Sequence, residues 1–231
     1  MSRGNAAAIR GEKSDIMKYR TVIFDLDGTL TDSGEGIIQS AICAAKEMNY
    51  PIPPREKLLL MRGPALRWSF TTLFGMNEEQ TYEAIRIYRR YYKTVGLQYN
   101  GTFDGALEML EKLRAAGLRV YIATAKYQRH GRLVCRKLGI RKRVTGVYGS
   151  GNPKHADDKS VIIARILKKR RAKEPAVMIG DKHMDVEAGR ACGIDTIGVA
   201  YGYAAPGELE EAKPTHIVSS IDELTAYLLE N

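Results

Sequence analysis

Cysteine is scarce in this chain: Cys43, Cys135 and Cys192 are the only three, far apart and without paired spacing. That excludes a disulfide framework and a zinc site of the usual paired type, and it predicts three reduced, packed thiols. Long apolar runs are missing too, and the polar N-terminus lacks the hydrophobic stretch of a secretory signal. A cytoplasmic protein with no membrane partner is the expectation. Internal repeats and low-complexity tracts do not occur, so a repeat array is excluded.

What is present is ordinary globular composition. The 231 residues are 44% hydrophobic and 27% charged, enough for a full core and a smaller second module. A formal net charge of +9 raises the question of a nucleic-acid polymer. The basic residues cluster locally, however, in RKLGIRKRV at 136–144 and KKRRAK at 168–173. Both lie near expected helix ends, where cations oppose the helix dipole. A solvated surface, not a nucleic-acid face, is the reading. Residues 1–16 show no periodicity and precede Met17, as a flexible N-terminal extension would.

Strand-like runs recur at 21–25, 119–123, 176–179 and 195–199, with weaker ones at 144–149 and 215–218, and helical patterns lie between most of them. That alternation predicts an α/β fold, with a parallel sheet carrying helices on both faces. The interval from 34 to 100 is too long for one crossover helix. GIIQSAICAAKEM has helical spacing, Pro51, Pro53 and Pro54 interrupt it, and Asn77 followed by Glu78, Glu79 and Gln80 reads as a capped start for TYEAIRIYRRYYK. The predicted organisation is therefore a core of residues 17–33 and 101–231 with a helical insertion over 34–100.

The chemistry concentrates in FDLDGTLTDS. If 21–25 is a strand, Asp25 and Asp27 leave its end on one side and share a small volume. Two such carboxylates repel unless a proton or a cation intervenes. Parallel sheets bind ligands at the carboxyl ends of their strands, and other polar residues fall there. VYIATAK ends a strand at Thr124, VMIGDKHMD ends one at Gly180 and Asp181 with Asp185 a helical turn on, and Lys159 opens the helical run KSVIIARIL. A hydroxyl donor, a positive charge and carboxylates able to hold a hard cation suit a phosphoryl group and Mg²⁺.

In this order, DLDGT, Thr124, a lysine and GDKHMD, the chain resembles the haloacid dehalogenase superfamily, specifically its small phosphatases with a helical cap. FDLDGTLTDSGEGI, RGPAL and GIDTIGVAYGYAAPGELEEAKPTHIVSSIDEL are similar to the branch of phosphoglycolate phosphatases and bacterial 5′-nucleotidase-like enzymes. The resemblance implies a Rossmann-like three-layer core with an α-helical cap, and Mg²⁺-dependent hydrolysis of a small phosphorylated metabolite. Asp25 would be the nucleophile that becomes an aspartyl-phosphate and Asp27 the acid and base. Mg²⁺ would be held by Asp25, the backbone carbonyl of Asp27, Asp181 and Asp185. Gly28, Thr29, Thr124, Ala125 and Lys159 would surround the phosphate; Ala125 stands where a small polar residue is common. Lys154 competes with Lys159, which family spacing favours because it directly precedes an apolar helix. Arg62, Arg67 and Trp68 in MRGPALRW are the candidate substrate contacts of the cap, although solvated arginines and a buried tryptophan are the alternative.

Two other readings stay in view. A sugar phosphomutase of the same superfamily would have to return the phosphate to its substrate. A phospho-accepting signalling domain also combines Asp, Thr and Lys around Mg²⁺, but the insertion and Asp27 argue against it. A monomer or a homodimer is expected.

Overall fold

The computed structural model describes residues 17–151, 158–169 and 174–230. The expected N-terminal extension and Lys154 lie outside the described residues. In chain order the strands are β1 (Thr21–Phe24), β2 (Thr31–Asp32), β3 (Gly101–Thr102), β4 (Arg119–Tyr127), β5 (Gly146–Ser150), β6 (Ala176–Gly180), β7 (Asp195–Val199) and β8 (His216–Val218). Six of them form one parallel sheet in the order β5-β4-β1-β6-β7-β8. The first strand is thus central, which is why all four of its residues are buried.

The alternation of β1 sorts its side chains to two sides of the sheet. Ile23 joins Tyr121, Met178 and the isoleucines Ile162, Ile163 and Ile166 in one cluster. Those isoleucines come from α7 (Lys159–Leu167), beside α8 (His183–Ala191). Val22 and Phe24 join the larger cluster, with Leu110 and Leu113 of α5 (Ala106–Ala115), Val134 of α6 (Gln128–Lys137) and Leu224 of α10 (Ile221–Glu230). The short α9 (Glu208–Ala212) follows β7. Helices therefore cover both faces, giving the expected three-layer α/β core.

Residues 34–99 are helical where they are regular. The helices are α1 (Gly34–Glu47), α2 (Arg55–Leu59), α3 (Leu66–Trp68) and α4 (Glu78–Tyr92), with a π-type turn at Ser69–Leu73 and a 3₁₀ turn at Gly96–Tyr99. The start of α4 is fixed by a capping box: the Gln80 amide donates to Asn77 Oδ1 at 2.9 Å, and the Asn77 amide to Gln80 Oε1 at 3.0 Å. Phe70, Phe74, Tyr88 and Tyr92 pack as neighbouring rings inside this segment. The chain enters and leaves the segment through one small ribbon, in which β2 and β3 pair antiparallel, Thr31 with Thr102 and Asp32 with Gly101. Among the described residues no helix is long and apolar enough to cross a membrane.

Candidate active site

Strand β1 ends at Phe24, and Asp25 follows with 7% of its surface exposed. Its amide still donates to the Ile179 carbonyl of β6 at 2.8 Å, so the sheet holds the carboxylate at the strand end. The chain then turns at Gly28, whose φ is +85°. A side chain there would be strained, and its Cβ would lie 2.2 Å from the Asp181 carboxylate.

Three acids converge at this end of the sheet. Ligand atoms of Asp25, Asp181 and Asp185 all lie within 4.8 Å of one another. Asp181, after β6, accepts from Thr29 Oγ1 at 3.2 Å and from the Tyr203 amide at 2.8 Å. Asp185, in the first turn of α8, accepts from the Lys182 amide at 3.1 Å. Lys159, first residue of α7, puts Nζ 3.1 Å from Asp25 Oδ1 and pairs also with Asp185 Oδ1. Burial, reinforced by the neighbouring acids against the single lysine, pushes the Asp25 carboxyl well above its usual range. Burial and the Asp185 charge bring Asp181 up to about 7. Burial alone would lower the Lys159 ammonium, but the Asp185 and Asp25 charges hold it above its ordinary value.

This donor set fits a Mg²⁺ ion. Three buried carboxylates facing one ammonium leave excess negative charge in a dry site, and hard oxygen donors are what Mg²⁺ takes. Asp25, Asp181 and Asp185 would hold it.

Asp27 is arranged differently. Its carboxylate turns away from the three acids: Oδ1 accepts from Ser33 Oγ at 2.5 Å, and Oδ2 pairs with Lys126 Nζ at 3.1 Å. Of Asp27, the backbone carbonyl alone is then the part to offer a cation. Lys126 also donates to Tyr92 Oη at 3.1 Å, which further accepts from Asn100 Nδ2 at 2.9 Å. Burial works against the Lys126 charge, yet the Asp27 carboxylate outweighs it and holds the ammonium well above its usual range. Thr124, 2% exposed, accepts from the Lys126 amide at 3.2 Å.

A cleft opens between the sheet end and the helical segment. Asp25, Asp27, Thr124, Ala125, Lys126 and Lys159 line it below, and Arg67, Arg89, Tyr88 and Tyr92 line it from the helical side. The expected site residues of the core thus come together. Thr29 turns its hydroxyl to Asp181, so its side chain supports an acid and only its backbone is left for phosphate.

The insertion candidates divide. Arg67 reaches the cleft wall, while also pairing with Glu78 at 3.1 Å and lying over the Tyr82 ring. Arg62 donates Nε to the Leu59 carbonyl at 3.1 Å and stacks its guanidinium on Tyr203 at 4.8 Å. Trp68 is 44% exposed and is not among the cleft residues.

Lys126 and Ser33 escaped the sequence reading. A strand taken to stop at Thr124 misses Lys126, since the strand runs on to Tyr127 through an irregularity in its pairing with β5. Ser33 closes the stretch FDLDGTLTDS, and nothing local in the sequence shows that its hydroxyl meets Asp27.

With this geometry in place, likenesses to known proteins take on meaning. The family described as haloacid dehalogenase-like hydrolase matches residues 22–199. A 5′-nucleotidase of Pseudomonas aeruginosa is 33% identical over 213 residues, covering 92% of this chain and 96% of that protein. The tyrosine-protein kinase PtkA of Mycobacterium tuberculosis is 34% identical over 206 residues, covering 88% of this chain and 70% of that protein. Among solved structures, a haloacid dehalogenase-like hydrolase of Streptococcus pneumoniae superposes with a TM-score of 0.82 at 31% identity, covering 91% of this chain and 98% of that one.

Proposed function

The chain belongs to the haloacid dehalogenase-like hydrolases, and from that premise we propose that it is a Mg²⁺-dependent phosphomonoesterase acting on a small phosphorylated metabolite through an aspartyl-phosphate. A nucleoside 5′-monophosphate is the favoured substrate, with phosphoglycolate next. One observation carries the reading: Asp25 stands at the sheet end with Lys159 and two further acids, while Asp27 is held apart from them by its own lysine and serine. Two neighbouring carboxylates in different surroundings can take different roles.

In the first step, which Asp27 enters as the protonated acid, an Asp25 oxygen bonds to phosphorus as the bond to the leaving oxygen breaks, and Asp27 delivers its proton to that oxygen. In the second, Asp27 takes a proton from water, whose oxygen bonds to phosphorus and displaces the Asp25 carboxylate, releasing inorganic phosphate. Lys159 and the Thr124 hydroxyl face the oxygens of the transferring group. A bound Mg²⁺ would supply positive charge against the acids and the phosphoryl oxygens. The helical segment acts as a cap over residues 34–100, and Arg67 on its cleft wall is the candidate contact for the leaving group. The same reading places the enzyme in the cytoplasm, as a monomer or homodimer, with no nucleic-acid polymer as partner.

The test is phosphate release from nucleoside monophosphates, phosphoglycolate, sugar phosphates and pyrophosphate, with Mg²⁺ and with excess chelator. Release from one of the first two groups is expected, silenced by chelator and restored by Mg²⁺. Asp25→Asn should lower it by about 10³-fold or more, since an amide is a poor nucleophile. Full activity in chelator, or an Asp25→Asn enzyme within a few-fold of wild type, would overturn the proposal.

A further inference from the structure

Tyr203 lies in the loop between β7 and α9, far in sequence from both carboxylates of the DLDGT turn. Its amide donates to Asp181 Oδ2 at 2.8 Å. Its hydroxyl accepts from the amides of Ser33 at 2.8 Å and Gly34 at 2.9 Å, and donates to Asp32 Oδ1 at 2.6 Å. Residues 32–34 are where the chain passes from the β2–β3 ribbon into α1, the entry to the helical segment. Ser33, tied to Tyr203 through its backbone, is also the residue whose side chain donates to Asp27. The tyrosine ring in turn lies under the guanidinium of Arg62, in the loop between α2 and α3. Gly34 completes the contact, since a Cβ there would sit 2.7 Å from Arg62 Cδ and 3.3 Å from the Tyr203 hydroxyl.

One residue therefore touches three things a hydrolase of this architecture must keep in step: through its amide an acid of the cation site, and through its side chain the turn holding the second carboxylate and a loop of the segment that covers the cleft. We propose that Tyr203 is a positioning residue that couples the seating of the helical segment to the placement of Asp27 and Asp181. The inference rests on the functional reading above for its consequence in turnover, and on the hydrogen bonds of Tyr203 and the Arg62 contact with its ring for the coupling itself. The hydroxyl accepts two N–H groups at the start of a helix, where they otherwise lack intrahelical partners, and donates its own O–H to Asp32. When Arg62 lies on the ring, the Ser33–Gly34 backbone is pinned and the Ser33 hydroxyl meets Asp27. When that loop lifts, the ring loses its cover and the pin loosens, so Asp27 is held best when the segment is down.

The test is Tyr203→Phe in the full chain, which keeps the ring and removes the hydroxyl, with Arg62→Ala as a second variant approaching the link from the other side. Tyr203→Phe should keep its Tm within about 3 °C of wild type. Amide exchange at Ser33 and Gly34 should quicken by about tenfold or more, with lost protection at residues 61–63. The kcat on p-nitrophenyl phosphate should fall about tenfold with KM within about twofold, because a positioning defect acts on the reacting complex and not on binding. Arg62→Ala should show the same pattern more weakly. Unchanged exchange at 61–63 in Tyr203→Phe, wild-type kcat despite a freed Ser33, or a raised KM at constant kcat would each overturn the proposal. If wild type hydrolyses no phosphomonoester, the functional reading falls, and exchange at residues 61–63 still decides the coupling either way.

Discussion

Ion pairs at the carboxyl end of the sheet and ion pairs on the helical segment use the same chemistry in opposite surroundings. In the pairs Lys126–Asp27 and Lys159–Asp25 the side chains are 10 to 13% exposed. In Arg86–Glu83 and Arg90–Glu47, on α4 and between α4 and α1, exposure runs from 34 to 65%. Water screens the second kind, so each arginine gives up little when its partner goes. The first kind has surrendered its hydration, and removing either member leaves a buried charge with less compensation than the pair gave it. Burial therefore separates two kinds of ion pair, and a count of ion pairs would miss the distinction.

The comparison is tested hardest at Lys126, where the largest effect is expected. Lys126→Met keeps the length of the side chain and deletes the charge, leaving Asp27 with Ser33 as its hydrogen-bonding side-chain partner and Tyr92 without its ammonium. Loss of one partner from such a pair costs about 3 kcal/mol, read as a lowered midpoint in urea. Turnover of p-nitrophenyl phosphate should drop by about 10²-fold as Asp27 loses its fixed geometry. A variant as stable and as fast as wild type would show that the buried pair is no different from the exposed ones.

That Lys126 went unnoticed in the sequence shows where sequence reading stops. The six sheet strands were legible because each is a short apolar run between breaks, and the capped start of α4 because its signal lies within four residues. The acids Asp25, Asp181 and Asp185 and the lysine Lys159 were legible as strand-end and helix-start residues in a known order, and the fold brings them into one cluster. The β2–β3 ribbon was not, since two residues per strand carry no period. Neither was the second environment of Asp27, whose partners Ser33 and Lys126 are brought together only by the turn after β1 and the extension of β4 past Thr124, where its register against β5 shifts. Tyr203 is the extreme case, with hydroxyl partners about 170 residues away. Local pattern reports what a residue is, and long-range pairing decides what it faces.

His130, on α6, sharpens the comparison with a group that is buried and unpaired by charge. It is 5% exposed, its ring beside those of Tyr92 and Tyr127. Burial lowers its pKa to about 4, helped by the positive charges of Lys126, Arg89 and Lys93. The folded state thus keeps the ring neutral, whereas the unfolded chain binds a proton near 6.5. The stability tied to this difference is intact above pH 6.5 and is lost as pH falls from there toward 4. Between pH 6.5 and 5 the loss should reach about 1 to 2 kcal/mol. Thermal melts of wild type and His130→Asn across that range should show a steeper decline for wild type, and parallel curves would mean that the ring takes up its proton without penalty.

The smallest effect belongs to Arg86. Its guanidinium meets the Glu83 carboxylate through two nitrogens, at 2.8 and 2.5 Å, one helical turn apart on α4. On distance alone this pair looks tighter than Lys126–Asp27. The acid precedes the base along the helix, the better order against the dipole. Yet the side chains are 65 and 44% exposed, so both ions keep most of their water when the bond breaks, and holding two long side chains in one geometry consumes the gain in rotamer freedom. Arg86→Ala should move Tm by about 1 °C or less, and a double-mutant cycle with Glu83→Ala should give a coupling indistinguishable from zero in moderate salt. Alanine is itself a good helix former, which offsets whatever packing the arginine stem provided. A shift of several degrees would mean that short distance, not burial, ranks the ion pairs of this molecule, and Lys126 would then lose its claim to be set apart from the surface arginines.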